Sequence, residues 1–217
     1  MFIKDILLLK GQGRTLPVIV GCGILLSVAM QQSTAIVYLG IIISMLTLST
    51  ISYDEHENGY TFLFTLPVER RKYVREKYLF SLGCCILAML AGLIISSVIV
   101  LVKAGSVTTS GKELLEYFCG AFLAVSFILA FSVPVRFRFG SEKSSVIMII
   151  IFGIAAIGAL AVTRLKDLLP MKTVAAAITA VESANDAVVA GVILLFSLVL
   201  LLISEQVSER IMIRKEF

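Results

Sequence analysis

Six long stretches without Asp, Glu, Lys or Arg divide this chain of 217 residues. They cover residues 16–34, 35–53, 79–102, 117–133, 144–163 and 187–204, so every formal charge lies between them or at the ends. A helix needs about 20 apolar residues to cross a bilayer, and backbone groups inside lipid must pair within the protein. The pattern predicts an all-α polytopic membrane protein with six transmembrane helices.

The composition agrees with this class of protein. Hydrophobic residues make up 59% of the chain and charged residues 16%, whereas soluble domains are about half apolar and a quarter charged. The balance disfavours a soluble enzyme, a disordered scaffold and a protein with a nucleic-acid partner. We expect one transmembrane domain over residues 1–217 and a multi-pass location in a membrane.

The basic residues orient the predicted helices. With both termini inside, 14 of the 19 lysines and arginines fall in inner segments. Because basic residues near span ends favour the cytosolic side, the distribution predicts an N-in, C-in bundle.

Four segments flank the predicted spans. Residues 2–13 place apolar side chains beside lysines, which favours a short interfacial helix over a frayed terminus. Residues 134–143 alternate arginine and phenylalanine and predict an inner interfacial loop. Residues 164–186 predict an outer short helix or re-entrant hairpin. Residues 205–217 predict an extension of the last helix into the cytosol.

The inner loop of residues 54–78 is acidic, then apolar, then basic. Its apolar part is too short to cross the membrane and too hydrophobic to lie bare in water, so lipid headgroups or a partner protein should cover it. The apolar part contains Tyr60, Phe62, Leu63, Phe64 and Leu66. Pro67 suits the first turn of a helix that continues into the third span.

Motifs for chemistry are missing from the sequence. His56 is the single histidine, and the residues after it do not complete a zinc-protease helix. Residues 105–113 approach a phosphate-binding loop, but five residues separate the glycines where four are needed, and Glu113 replaces the magnesium-binding hydroxyl. We therefore predict no catalytic residue, no metal site and no enzymatic activity in this chain.

None of the six stretches contains the carboxylates or histidines that ion-coupled carriers use as relays. If the protein moves a substrate, we expect the energy to come from elsewhere. Hydroxyl side chains within the spans could line a pathway, or they could bond to their own helix or to a neighbour. The candidates for pathway lining are Ser44, Thr47, Ser96 and Ser126.

Residues 57–70 carry the most informative motif. Glu57 and Gly59 precede an apolar run, which ends in Leu66-Pro67 and leads to a basic helix start at Arg70. This order resembles the loop between spans two and three of ABC-2-type transporter permeases. The predicted arrangement of the whole chain is also similar to that of the family. It comprises six spans, inner termini, an interfacial N-terminal helix and an outer element before the last span.

The resemblance implies a working complex. Such permeases pair with a separate cytosolic ABC ATPase, which holds ATP and magnesium, so this chain would need no cofactor. Two permeases, either two copies or a copy and a paralogue, join two ATPases. The inner loop forms a cytosolic coupling helix between spans two and three. The implied docking residues are Glu57, Gly59, Tyr60, Phe62, Leu63, Phe64 and Pro67, and the implied headgroup anchors are Arg70, Arg71 and Lys72.

The small size is similar to the compact six-helix branch of the family. That branch includes bacterial cytoplasmic-membrane subunits that export antimicrobial peptides, phenol-soluble modulins or drugs, so the resemblance implies an exporter of an amphipathic or hydrophobic substrate. Two other classes stay open: a membrane scaffold or assembly protein without transport, and a secondary multidrug carrier.

Overall fold

A computed structural model describes residues 2–11, 13, 15–30, 33–55, 69–102, 111–165 and 186–214. Within these residues the fold is entirely helical. The helices are α1 (Phe2–Gly11), α2 (Leu16–Ala29), α3 (Thr34–Glu55), α4 (Arg70–Val102), α5 (Gly111–Leu165) and α6 (Asp186–Arg214). Helix α5 bends at Gly140, so it consists of two arms and brings the number of straight helical segments to seven.

Four helical segments in the described part of the chain are long and apolar enough to cross a membrane. They are Thr34–Glu55, Arg70–Val102, Gly111–Gly140 and Val188–Arg214. A fifth span results if α1 and α2, whose axes differ by 69°, count as one bent element. The protein is therefore a multi-pass membrane protein, while six spans and their orientation stay a prediction.

Helix α3 lies at the centre of the bundle. It packs against α4 on one side and the first arm of α5 on another, and it also contacts α1 and α2. Helix α6 completes the bundle by packing on α5 and α4. The core between these helices is apolar and includes Ile36, Leu48, Tyr73, Met89, Val125, Leu129 and Phe137.

Helices α3 and α4 approach most closely at Gly92. A Cβ atom on Gly92 would lie 2.7 Å from the Cα atom of Ile36, so only glycine fits without moving a helix. Small residues at such crossings let membrane helices pack backbone to backbone. Nearby, Ser27 of α2 accepts a hydrogen bond from the first-turn amide of Ala35 at 2.9 Å. This bond ties α2 to the start of α3.

The prediction of an inner loop at residues 134–143 is wrong. The chain stays helical through Pro134, and the break comes at Gly140, which has φ 78° and ψ 170°. Arg136 favours the continued helix, because it is half-buried against α3 and its guanidinium donates to the carbonyl of Leu48 at 3.0 Å. A packed helix keeps its backbone groups paired where a loop could not.

Several other sequence predictions concern the ends of helices. The N-terminal helix is confirmed by α1, and the basic residues after Glu69 do continue into the third span within α4. The helical extension after residue 204 is confirmed as far as Arg214. The outer element predicted for 164–186 falls mostly on residues 166–185, which lie outside the described residues.

Candidate functional site

Charged and polar contacts between helices concentrate at one end of the bundle, which we call the basic end. It comprises α1, the last turn of α3, the first two turns of α4, the bend of α5 and the last turns of α6. Glu55 and Glu69, the described residues on either side of positions 56–68 of the inner loop, belong to it. The segment that the sequence singled out is therefore held at its two ends by this part of the structure.

A buried ion cluster joins three helices at the basic end. The Lys77 ammonium of α4 lies 2.7 Å from both carboxylate oxygens of Asp5 in α1. The same ammonium lies 2.8 Å from Asp54 Oδ2 in α3. Lys4 pairs with the other oxygen of Asp54, and the Tyr73 hydroxyl donates to Asp54 Oδ2 at 2.9 Å.

The cluster is balanced in charge, and all of its members except the partly exposed Lys4 are buried. Two ammonium groups face two carboxylates, and the side chains of Lys77 and Asp5 are 2% and 0% exposed. An isolated charge at such a depth is strongly unfavourable, whereas a paired and hydrogen-bonded one is tolerated. Moving α1, α3 or α4 alone would separate buried opposite charges, so the cluster makes these three helix ends move together.

Helix α4 is joined to α6 by a second set of contacts. Arg75 Nε lies 2.8 Å from Glu209 and 3.4 Å from Glu205. One turn deeper, the Tyr78 hydroxyl lies 2.6 Å from Ser204 Oγ and 2.9 Å from Ser208 Oγ. These contacts couple the start of α4, which directly follows the inner loop, to the last helix.

The bend of α5 rests on the end of α3. A Cβ atom at Gly140 would lie 2.5 Å from Glu55 Oε1, and the positive φ of Gly140 disfavours any other residue. Phe137, one turn earlier, is buried with its ring 6.1 Å from that of Tyr73. The ends of α3, α4 and α5 are thus in contact with one another beside the inner loop.

The predicted docking residues of the loop, from Glu57 to Pro67, lie outside the described residues, so their role stays a prediction. The predicted headgroup anchors lie in the first turn of α4. Arg71 and Lys72 are exposed, and Lys72 pairs with Glu69 at 3.2 Å. Arg70 instead reaches α6, where its guanidinium donates to the carbonyls of Met212 and Ile213 at 3.2 and 3.1 Å.

The four candidate pathway hydroxyls are all buried in the bundle, on α3, α4 and α5. Ser44 donates to the carbonyl of Ile41 at 2.7 Å, and Thr47 donates to that of Ser44 at 2.9 Å, which is the local bonding that the sequence left open. Ser96 is packed between helices. Among the described residues, the Ser126 hydroxyl has no hydrogen-bond partner. Pathway lining stays a prediction.

Sequence reasoning missed the ion cluster. It placed Asp54 and Lys77 in the inner loop and gave Asp5 no role. The available signal was a pair of opposite charges beside two predicted spans: Asp54 directly follows one span, and Lys77 lies two positions before the start of the next. No group of three or more metal-binding side chains occurs within the described ranges.

Comparison with known proteins gives one match. The family model described as "ABC-2 family transporter protein" matches residues 1–212, which is almost the whole chain. No curated protein and no solved structure matches the sequence or the fold. The family match covers the inner loop, the ion cluster and every described helix except the last two residues of α6.

Proposed function

The chain belongs to the ABC-2 family of transporter proteins, and from this premise we propose that it is the membrane-spanning permease subunit of an ATP-driven exporter. A separate cytosolic ABC ATPase would bind ATP and magnesium and supply the energy. The observation that carries this proposal is the family match over residues 1–212. The sequence supports it independently, since the chain has neither a nucleotide-binding motif nor ionisable relays within its apolar stretches.

The proposed subunit has six spans and both termini in the cytosol, within a single permease domain over residues 1–217. Helix α2 and the second arm of α5 supply the two spans beyond the four apolar segments. The second arm suits lipid, because Ile149 and Ile157 are 73% and 68% exposed on it. The basic end then lies at the cytosolic face of a bacterial cytoplasmic membrane, in agreement with the excess of arginine and lysine there.

The inner loop would be the coupling helix that docks on the ATPase. Tyr60, Phe62, Leu63 and Phe64 would supply its apolar contact surface, flanked by Glu57, Gly59 and Pro67. A ligand or partner can drive a conformational change only by contacting two states differently. Because the loop connects α3 directly to α4, its displacement would act on the ion cluster and on the contacts of α4 with α6.

The complete exporter would contain two permeases and two ATPases, with a second copy of this chain or a paralogue as the other permease. Arg71 and Lys72, exposed at the start of α4, would anchor the loop helix to anionic headgroups. An amphipathic or hydrophobic substrate, such as a peptide, a toxin or a drug, suits a bundle whose apolar stretches offer hydroxyls but no charge. Ser44, Thr47, Ser96 and Ser126 are the proposed lining residues.

The test is co-purification from the native membrane in mild detergent, followed by mass spectrometry. We expect a stoichiometric ABC ATPase with the wild-type chain and no ATP hydrolysis by the chain alone. Phe62→Asp combined with Phe64→Asp should leave the bundle intact but remove the ATPase. Phe139→Asp is the control, because Phe139 is an exposed ring at the basic end but outside the loop.

Each result has a defined consequence. Loss of the ATPase from the loop variant alone supports the docking assignment. An unchanged amount of ATPase with the loop variant overturns that assignment. Absence of any ATPase from an intact wild-type bundle overturns the permease proposal and favours a membrane scaffold or a secondary carrier.

A further inference from the structure

A cavity of 570 Å³ opens at the basic end between the bend of α5 and the last turns of α6. It is distinct from the ion cluster and from the inner loop. Its size lies within the range of small-ligand sites, roughly 300–1,000 Å³. It is lined by Phe137, Arg138, Val207, Arg210, Ile211 and Arg214.

The lining is strongly cationic. Arg138 comes from α5, while Arg210 and Arg214 come from successive turns of α6, so three arginines line the cavity from two helices. Among the described residues, no acidic side chain lines the cavity. The acidic residues of α6 in this region, Glu205 and Glu209, are already paired with Arg75 on α4.

These arginines have no structural partner that accounts for them. In the described part of the chain, neither Arg210 nor Arg214 forms an ion pair. Arginine near a helix C-terminus commonly stabilises the last carbonyl groups. Here that role is filled from outside the helix, because Arg70 donates to the carbonyls of Met212 and Ile213. Arg138 only stacks over the Phe139 ring, at 5.4 Å from its centroid.

The other half of the lining is apolar. Phe137 is fully buried, while Val207 and Ile211 line the α6 side. Val207 is also 43% exposed and continues into the apolar outer surface of α6, where Ile203 is 59% exposed. A ligand in this cavity would therefore meet arginines with one part and an apolar, lipid-facing surface with the other.

We propose that this cavity binds the headgroup of an anionic phospholipid from the surrounding leaflet. The guanidinium groups would bind the phosphate oxygens, for which paired N–H donors of arginine are well suited. The acyl chains would lie along the exposed apolar side of α6. Basic pockets between membrane helices are a recurrent form of lipid headgroup site. A bound lipid would bridge α5 and α6 at the end of the bundle where the ion cluster holds the other helices.

Lipid is favoured over a soluble anion because the cavity joins the lipid-facing surface and half of its lining is apolar. It is favoured over an acidic protein segment because the site lies where a span ends, at the depth of the headgroups. The proposal goes beyond transport and does not depend on an ATPase, so its test measures lipid binding by the isolated chain.

The experiment is native mass spectrometry of the purified full chain, titrated with phosphatidylglycerol and separately with phosphatidylcholine. We expect tighter binding of phosphatidylglycerol. Arg210→Gln with Arg214→Gln should weaken that binding about 30-fold, from roughly 1 kcal/mol for each arginine near an anionic surface. Arg138→Gln, on the opposite wall, should weaken it several-fold.

The matched control is Lys10→Gln with Lys143→Gln, which removes two positive charges from exposed lysines outside the cavity. It should change phosphatidylglycerol binding less than threefold. Circular dichroism and gel filtration establish that every variant compared is folded.

Three results would overturn the proposal. Equal losses in the cavity and control variants would mean attraction by overall charge. Equal binding of the two lipids would mean that the headgroup is not recognised. Displacement of phosphatidylglycerol by inorganic phosphate at the same concentration would assign the cavity to a soluble anion.

Discussion

Replacing Lys77 with methionine should destabilise the bundle more than any other removal of a single surface-adjacent charge. The Lys77 ammonium is 2% exposed and contacts two carboxylates, at 2.7 Å for Asp5 and 2.8 Å for Asp54. Methionine keeps the length and apolar stem of lysine but removes the charge. The substitution therefore tests the ion cluster and not the packing around it.

The expected loss of stability follows from the contacts that each carboxylate keeps after the substitution. Asp54 keeps its contacts with Lys4 and Tyr73 after the substitution. Asp5, which is 0% exposed, loses both of its contacts with Lys77. Removing one partner of a buried ion pair costs about 3–5 kcal/mol, because the other charge is left buried without compensation. We expect a loss of free energy of unfolding within that range.

The double substitution Asp5→Asn with Lys77→Met should restore part of this loss, because it removes the buried charge of Asp5 that Lys77→Met leaves uncompensated. Lys72→Met is the control on the same helix. Its ammonium is in a side chain 74% exposed and pairs only with Glu69, so its removal should cost at most about 0.5 kcal/mol.

The assay is unfolding by SDS titrated into mild-detergent micelles. It is followed by circular dichroism and by thiol labelling of Cys85 and Cys119, which are buried in the native fold. Two results would refute the reasoning. One is a loss for Lys77→Met no larger than for Lys72→Met. The other is a double variant as unstable as the single one, which would show that the uncompensated charge of Asp5 does not cause the loss.

Two further predictions use the same unfolding assay. Gly92→Ala should lower the free energy of unfolding by about 1–3 kcal/mol, because its Cβ atom would meet the Ile36 backbone at 2.7 Å. The control, Gly83→Ala, should be neutral, because there is open space around Gly83. Equal effects of the two substitutions would contradict the close crossing of α3 and α4. Ser126→Ala should leave stability unchanged or raise it by up to about 1 kcal/mol, because a buried hydroxyl without a partner is removed. A clear loss of stability would show that this hydroxyl has a bonding partner, and a change in transport at unchanged stability would support pathway lining.

Much of the helical pattern could be predicted from the sequence. The stretch at 35–53 corresponds to α3, and that at 79–102 corresponds to the apolar part of α4. Helix formation over such lengths depends on local composition, since an uncharged apolar segment in lipid has no other way to pair its backbone. The same reasoning failed at 134–143, because the chain stays helical there and Arg136 bonds to α3 instead of lying in a solvated loop.

The family assignment also came from local information. The order of residues between Glu57 and Arg70 was sufficient for the resemblance, and the family match over residues 1–212 agrees with it. The candidate docking residues follow from that motif and not from tertiary contacts. Their proposed contacts are with a partner chain, which the sequence of this chain does not contain.

The sequence by itself determined that this protein is a helical, multi-pass membrane protein of a transporter family, because hydropathy acts along about 20 consecutive residues. Only the tertiary structure decided which of its charges are buried. Asp5 and Lys77 are 72 positions apart, and Lys77 and Asp54 are on different helices, yet they form one ion cluster. The same holds for the arginines of the cavity, which line it from α5 and α6. Charge pairing depends on distance in space, and only helix packing sets that distance.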